Sequence, residues 1–169
     1  MTKAFERVFA EEIGLISFVR ESNRIEGIVR DPTIEEVEEL ERFVELDTVT
    51  IDDLVTFVKV YQPNARLRDE MHVPGVRVGS HIAPPSGPAI REDLTELLFR
   101  VNRSMVRPWV AHQEYEHLHP FTDGNGRSGR ALWAWQMQAC MGADAMDVIW
   151  RRGFLHSFYY QSLTEWRKK

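Results

Sequence analysis

The feature that most narrows what this chain can fold into is the run His119-Pro120-Phe121-Thr122-Asp123-Gly124-Asn125-Gly126-Arg127-Ser128-Gly129-Arg130. It gathers an imidazole, a carboxylate, an amide between two glycines and two arginines. Directly after it, Ala131 to Met141 reads as an apolar helix carrying Leu132, Trp133, Trp135, Met137 and Met141. The polar cluster therefore belongs on a tight loop that runs into a helix N-terminus. Backbone N–H groups there lack intrahelical acceptors and the helix dipole is positive, which suits an anion. Gly124 and Gly126 are open to positive φ, so the loop can form a nest of N–H donors close to a ligand.

Arg127 and Arg130 are three apart and project from one helix face. Cations in a first turn oppose the dipole and cost an empty helix roughly 0.3–1 kcal/mol each. A bound phosphate reverses that sign through charge-assisted, bidentate hydrogen bonds. A cap at Asp123 or Asn125, with His119 packed and the arginines solvated, would explain neither arginine nor the histidine. Phosphoryl-type transfer asks for positioning and charge neutralisation more than covalent help. Histidine is the usual side chain for taking a hydroxyl proton near neutral pH.

A chain of 169 residues is one domain by expectation and long enough for a real core. Its 43% apolar and 28% charged residues are ordinary for a globular protein. The net charge of −5 argues against a nucleic-acid-binding surface, which is normally basic. The single Cys140 excludes an intrachain disulfide and fits a reducing compartment; its place on an apolar helix predicts a buried thiol. Met1 to Gly14 has no hydrophobic leader core. Ala131 to Ala143 is too short for a membrane span and contains Gln136 and Gln138. The expected location is cytoplasmic.

In chain order, Phe5, Val8, Phe9, Ile13, Ile16 and Val19 predict a helix over Lys3 to Arg20, weakest at Gly14. Ser22 to Gly27 makes an imperfect capping box, with the acid one residue late. Asp31-Pro32-Thr33 opens a helix with Ile34, Val37, Leu40, Phe43 and Val44 at helical spacing, and the charge run Glu35 to Glu45 reads as its solvated face. Another helix spans Ile51 to Tyr61, with Asp52 and Asp53 in its first turn. Val73 to Ile82 alternates around turn formers and reads as a short hairpin, followed by a loop over Ala83 to Pro88. Arg91 to Val106 is amphipathic, with Leu94, Leu97, Leu98, Val101 and Met105 on one face. Trp109 to Leu118 should be the helix that delivers His119. His112, His117 and His119 lack helical ligand spacing and a nearby cysteine, so a transition-metal site is not expected.

The run from His119 to Arg130 resembles the core motif of the Fic family, histidine-x-phenylalanine-x-acid-glycine-asparagine-glycine-arginine-x-x-arginine, and matches it at every defined position. The resemblance implies a mostly α, single-domain helical bundle over 1–169 with one small β-hairpin flap. Residues 1–30 would then form an N-terminal region with an inhibitory helix, and 31–165 the catalytic core. It implies an ATP- and Mg²⁺-dependent nucleotidyltransferase that moves AMP to a Ser, Thr or Tyr hydroxyl of a target protein. His119 would be the general base, Phe121 a core anchor and Asp123 the Mg²⁺ ligand. Gly124, Asn125 and Gly126 would line the anion hole, and Arg127 and Arg130 would hold the outer phosphates.

The Ser22-x-x-x-Glu26-Gly27 pattern resembles the inhibitory motif of many Fic proteins. Carried over, Glu26 pairs with Arg130 and blocks seating of the γ-phosphate, while Ser22 fixes the segment. The hairpin resembles the flap that clamps an extended target by strand pairing, with Arg77, Val78 and Gly79 as target contacts. Tyr159-Tyr160-Gln161-Ser162-Leu163 is similar to the aromatic helix that closes the Fic core. Intact Gly126 and Arg127 point away from the Doc-like variant that phosphorylates its target. Transfer of another phosphate-containing group, or removal of AMP, stays open. So does a non-catalytic module that binds a nucleotide or partner, although binding alone needs no His119. Surface apolar residues could support a homodimer, and the target itself is not written in the chain.

Overall fold

Threonine hydroxyls and prolines decide where most of the helices begin. The computed structural model describes residues 3–142, with side chains from Gly14 onward; the tail holding Tyr159 and Tyr160 lies outside the described residues. Helix α1 spans Lys3–Ile25, α2 Ile34–Val44 and α3 Ile51–Tyr61. Thr33 and Thr50 cap α2 and α3, each accepting from the N–H three residues on, while Glu36 and Asp53 reach back to the threonine N–H. Each box satisfies two donors that a helix start otherwise leaves orphaned. Strand β1 (Arg77–Val78) pairs antiparallel with β2 (His81–Ile82), Arg77 opposite Ile82 and Val78 opposite His81. Helices α4 (Pro88–Asn102) and α5 (Pro108–Leu118) start on prolines, which have no N–H to leave unpaired. Helix α6 runs from Asn125 to Met141.

The axis of the molecule is α6. Every residue from Arg127 to Gln136 is buried, as expected of a helix covered on all sides, and α5, α2, α3 and α1 pack around it. Gly129 sets the closest approach: a Cβ there would come within 2.9 Å of the Tyr115 ring on α5. The same face carries a buried hydrogen bond of 2.7 Å between the Tyr115 and Ser128 hydroxyls. Further along, Trp135 donates to Leu46 O at 2.7 Å and Gln136 to Val106 O at 2.6 Å, tying two loops to the helix. On α1 the inward stripe is Leu15, Phe18, Val19, Ser22 and Asn23, spaced i, i+3, i+4, i+7, i+8.

Several boundaries differ from the sequence expectation. Helix α1 continues through Gly14 to Ile25, so Ser22 lies inside it and not at a cap. Gly27, at φ 77°, then closes it: Ile28 N–H bonds Asn23 O and Gly27 N–H bonds Arg24 O. Leu15 and Phe18, not Ile16, fill the inward face beside Val19. Helix α4 ends at Asn102, whose amide exchanges two 2.8 Å hydrogen bonds with the backbone of Val49. Met105 therefore falls beyond the helix and is 64% exposed. The hairpin is shorter than Val73 to Ile82, because Gly79 at φ 59° turns the chain after two residues, as a type II′ turn requires. Cys140 is exposed, since the surrounding helices cover α6 fully only as far as Gln136. Among the described residues no helix is long and apolar enough to cross a membrane.

Burial drives the His112 ring pKa down to about 3 from 6.5. The ring stays neutral in the fold, while an unfolded chain would take up its proton. Between those two values the unfolded state binds one more proton, so stability rises with pH across that window. Urea unfolding at pH 7 and pH 5 checks this. His112→Gln should lose less stability than the native protein on acidification, the gap closing by up to tenfold in the folding constant per pH unit below about 6.5.

Candidate active site

Helix α5 ends at Leu118, and His119 caps it in the left-handed region at φ 50° and ψ 61°, its N–H bonded to Tyr115 O at 2.9 Å. The ring is 7% exposed. Its Nδ1 lies 3.1 Å from Glu116 O, an atom that can only accept. In the neutral ring Nδ1 therefore carries the hydrogen and Nε2 the lone pair. A carboxyl oxygen of Glu116 sits 3.8 Å from Nδ1, on the side of the ring away from the lone pair.

Beyond His119 the chain is pinned on both sides. Residues 66–68 run antiparallel to 120–122: Arg68 N–H bonds Pro120 O at 2.8 Å, Thr122 N–H bonds Arg66 O at 2.9 Å, and Leu67 bridges to Phe121. Phe121 is buried, and the Asn125 amide bonds both its N–H and its C=O at 2.8 Å. The Asn125 side chain is thus taken up in holding the loop, leaving its backbone N–H for an anion. Gly124 stands at φ 78° against Val58, and its N–H bonds Asp123 Oδ1 at 2.6 Å. Gly126 corrects the sequence reading. As the second residue of α6 it has helical φ, and its missing side chain makes room: a Cβ would overlap Oε1 of Glu26 and come within 2.9 Å of Arg130 Nη1. The α6 ladder opens with Ser128 N–H on Gly124 O at 3.1 Å, so the N–H groups of Asn125, Gly126 and Arg127 precede it.

The two arginines differ in their partners. Arg130 bonds Ser22 Oγ at 2.8 Å, Ser22 O at 3.0 Å and Glu26 Oε1 at 2.6 Å. Arg127 is 3% exposed, and its Nε and Nη1 meet no hydrogen-bond acceptor among the described residues. Its guanidinium carbon lies 5.5 Å from the centre of the Tyr61 ring. Burial lowers its pKa, with the negative charges of Glu26 and Asp123 opposing the shift. Such a group is poised for an anion, which would replace lost hydration.

His119, Asp123, the Gly124–Gly126 turn, Arg127, Arg130, Ser22 and Glu26 thus converge at one end of α6. Arg77, Val78 and Gly79 form the exposed hairpin. It is tied to the same region through His81, whose Nε2 lies 3.0 Å from His117 O and whose ring stands 4.9 Å from that of His117. His112 points into the α5–α6 interface instead. No group of three His, Cys, Asp or Glu able to hold a metal occurs among the described residues. Asp123 is an exposed single carboxylate, which fits a Mg²⁺ carried in on a nucleotide's phosphates and does not fit a protein-only metal cage. Sequence reasoning missed Arg68, fully buried beneath the loop, and the amide clip of Asn125. An Asn between two glycines signals a turn, but no local pattern marks the arginine.

Two comparisons bear on this arrangement. A model of the Fic/DOC family matches residues 33–137, a span that holds the whole loop and most of α6 but not Glu26. The fold is similar to the crystal structure of a Fic family protein from Desulfovibrio desulfuricans G20, with 20% identity and a TM-score of 0.56, over 94% of this chain and 58% of that one. The chain thus spans a little over half the length of that protein. With the family match extending across most of its helices, and the left-handed histidine, buried arginine and glycine turn all inside it, the chain belongs to the Fic/DOC family.

Proposed function

We propose that this protein transfers AMP from ATP to a Ser, Thr or Tyr hydroxyl of a target protein and is restrained by its own Glu26. The observation that carries the reading is the contrast between neighbouring cations: Arg127 is buried with its Nε and Nη1 meeting no acceptor among the described residues, while Arg130 is occupied by a carboxylate. A triphosphate supplies the anion that the first lacks, and its terminal phosphate competes with Glu26 for the second. His119 takes the hydroxyl proton at Nε2, and the freed oxygen attacks the α-phosphorus. A P–O bond forms there as the bond to the β-phosphate oxygen breaks, and pyrophosphate leaves. The N–H groups of Asn125, Gly126 and Arg127 face the phosphates, where preorganised donors stabilise the developing charge. Asp123 would hold Mg²⁺, which supplies charge neutralisation across the phosphates. The exposed hairpin holding Arg77, Val78 and Gly79 would pair with the extended target segment.

Incubation with α-labelled ATP and Mg²⁺, followed by a search for self-labelling and target labelling, tests the reading. Weak labelling is expected of the native chain and about ten- to hundredfold faster labelling of Glu26→Gly, because the charge-assisted bond removed is worth ~1.5–3 kcal/mol. Equal rates would refute the restraint. His119→Ala in the Glu26→Gly background should abolish transfer while nucleotide affinity stays within about twofold, since the ring acts on the hydroxyl and not on the phosphates. Persistent labelling in that variant would remove His119 as the base. Chelation with EDTA should stop transfer and leave circular dichroism unchanged, since no protein-only metal cage occurs among the described residues.

A further inference from the structure

Arg68 lies outside the run that carries the proposed chemistry, yet its side chain is completely buried, at 0% exposure. Among the described residues no carboxylate pairs with it, and burial alone lowers its pKa from the usual arginine value. Its donors go to two separate segments. Nε bonds His119 O at 2.8 Å and Nη2 bonds Leu118 O at 2.9 Å. Nη1 bonds Pro84 O at 2.8 Å and Ser86 Oγ at 3.2 Å, and that hydroxyl in turn donates to Pro74 O at 3.3 Å. The backbone joins in, with Arg68 N–H on Pro120 O at 2.8 Å and Gly87 N–H on Arg68 O at 2.9 Å.

Leu118 O and His119 O belong to the C-terminal end of α5, where carbonyls lack intrahelical donors and the dipole is negative. A cation is favoured there, which accounts for a buried guanidinium without a carboxylate. Only a planar fork with several fixed donors can serve these carbonyls and, on its other side, Pro84 and Ser86; a lysine ammonium cannot span both. Pro84 and Ser86 lie on the stretch that leads down from β2. One side chain therefore joins the turn bearing His119 to the base of the hairpin. We infer that Arg68 is a positioning residue: it holds the left-handed turn that aims His119 and, through the same guanidinium, holds the base of the hairpin, keeping proton acceptor and target clamp in one register. This rests on the reading of His119 as the base and of the hairpin as the flap.

The test combines a spectrum with a rate. In ¹⁵N spectra of the histidine rings at pH 8, the native His119 signal, assigned by its loss in His119→Asn, should show the Nδ1–H tautomer. Arg68→Lys should raise the Nε2–H fraction severalfold, and Ser86→Ala, which removes one acceptor on the hairpin side, should shift the same signal less. In the Glu26→Gly background, Arg68→Lys should slow transfer of label at least tenfold with ATP affinity held within about twofold, a split that general destabilisation would not produce. A folded Arg68→Lys whose His119 signal is unchanged overturns the inference. If Arg68→Lys does not fold, Ser86→Ala decides: an unmoved His119 signal overturns it, a displaced one supports it. Should Glu26→Gly transfer no label, the AMP-transfer reading fails, and the ring spectra still decide the role of Arg68.

Discussion

Two guanidinium groups are held out of water at the positive end of a central helix, and much of this molecule is arranged to tolerate them. Arg127 and Arg130 oppose the α6 dipole, and both are buried. Glu26 offsets one of these charges. The other rests against the face of Tyr61, and that ring is itself fixed, its hydroxyl donating to Glu36 O at 2.6 Å and its face stacked on Phe57 at 4.7 Å. Glu36 is held low in pKa although burial would raise it, because Arg30, Thr33 and Asn23 all donate to it. Helices α1, α2 and α3 thus meet around an electrostatic problem as much as around an apolar core.

The loop between α5 and α6 has almost no regular structure, yet its backbone is closely accounted for. Phe121 is clipped at both polar groups by Asn125, Pro120 and Thr122 are paired to residues 66–68, and the end of α5 is closed by Arg68. Irregular backbone with buried, satisfied polar groups is rigid without being helix or strand. That rigidity lets a short loop hold an imidazole and a glycine turn at a fixed separation, which the proposed transfer would need more than further reactive groups.

Elements written in local chemistry could be read directly. Asp31-Pro32-Thr33 ahead of α2 and Asp52 with Asp53 in the first turn of α3 announce those starts, whereas Pro88, which reads as the end of a loop, is itself the first residue of α4, since a first helical position needs no N–H partner. The run from His119 to Arg130 is local in the same sense, since its residue types sit within one loop and one helix turn. What escaped depends on distance along the chain. Arg68 meets its partners 16 to 51 residues away, all but one of them carbonyls, and carbonyls leave no trace in a sequence. Gly126 reads in the sequence as backbone freedom, yet its effect is the space left by a missing side chain, visible only once Glu26 is folded over it. The apolar character of α6 predicts a buried Cys140, but the thiol is exposed, because burial depends on what covers a turn and not on its composition.

The left-handed backbone at His119 narrows the alphabet open to that position. A φ near 50° penalises branched and bulky side chains, while glycine, asparagine, aspartate and histidine adopt it most readily. Within that short set only the imidazole offers a nitrogen lone pair at neutral pH. The geometry that turns the chain out of α5 and the chemistry proposed at its tip therefore converge on the same residue, and a drift away from either would forfeit both.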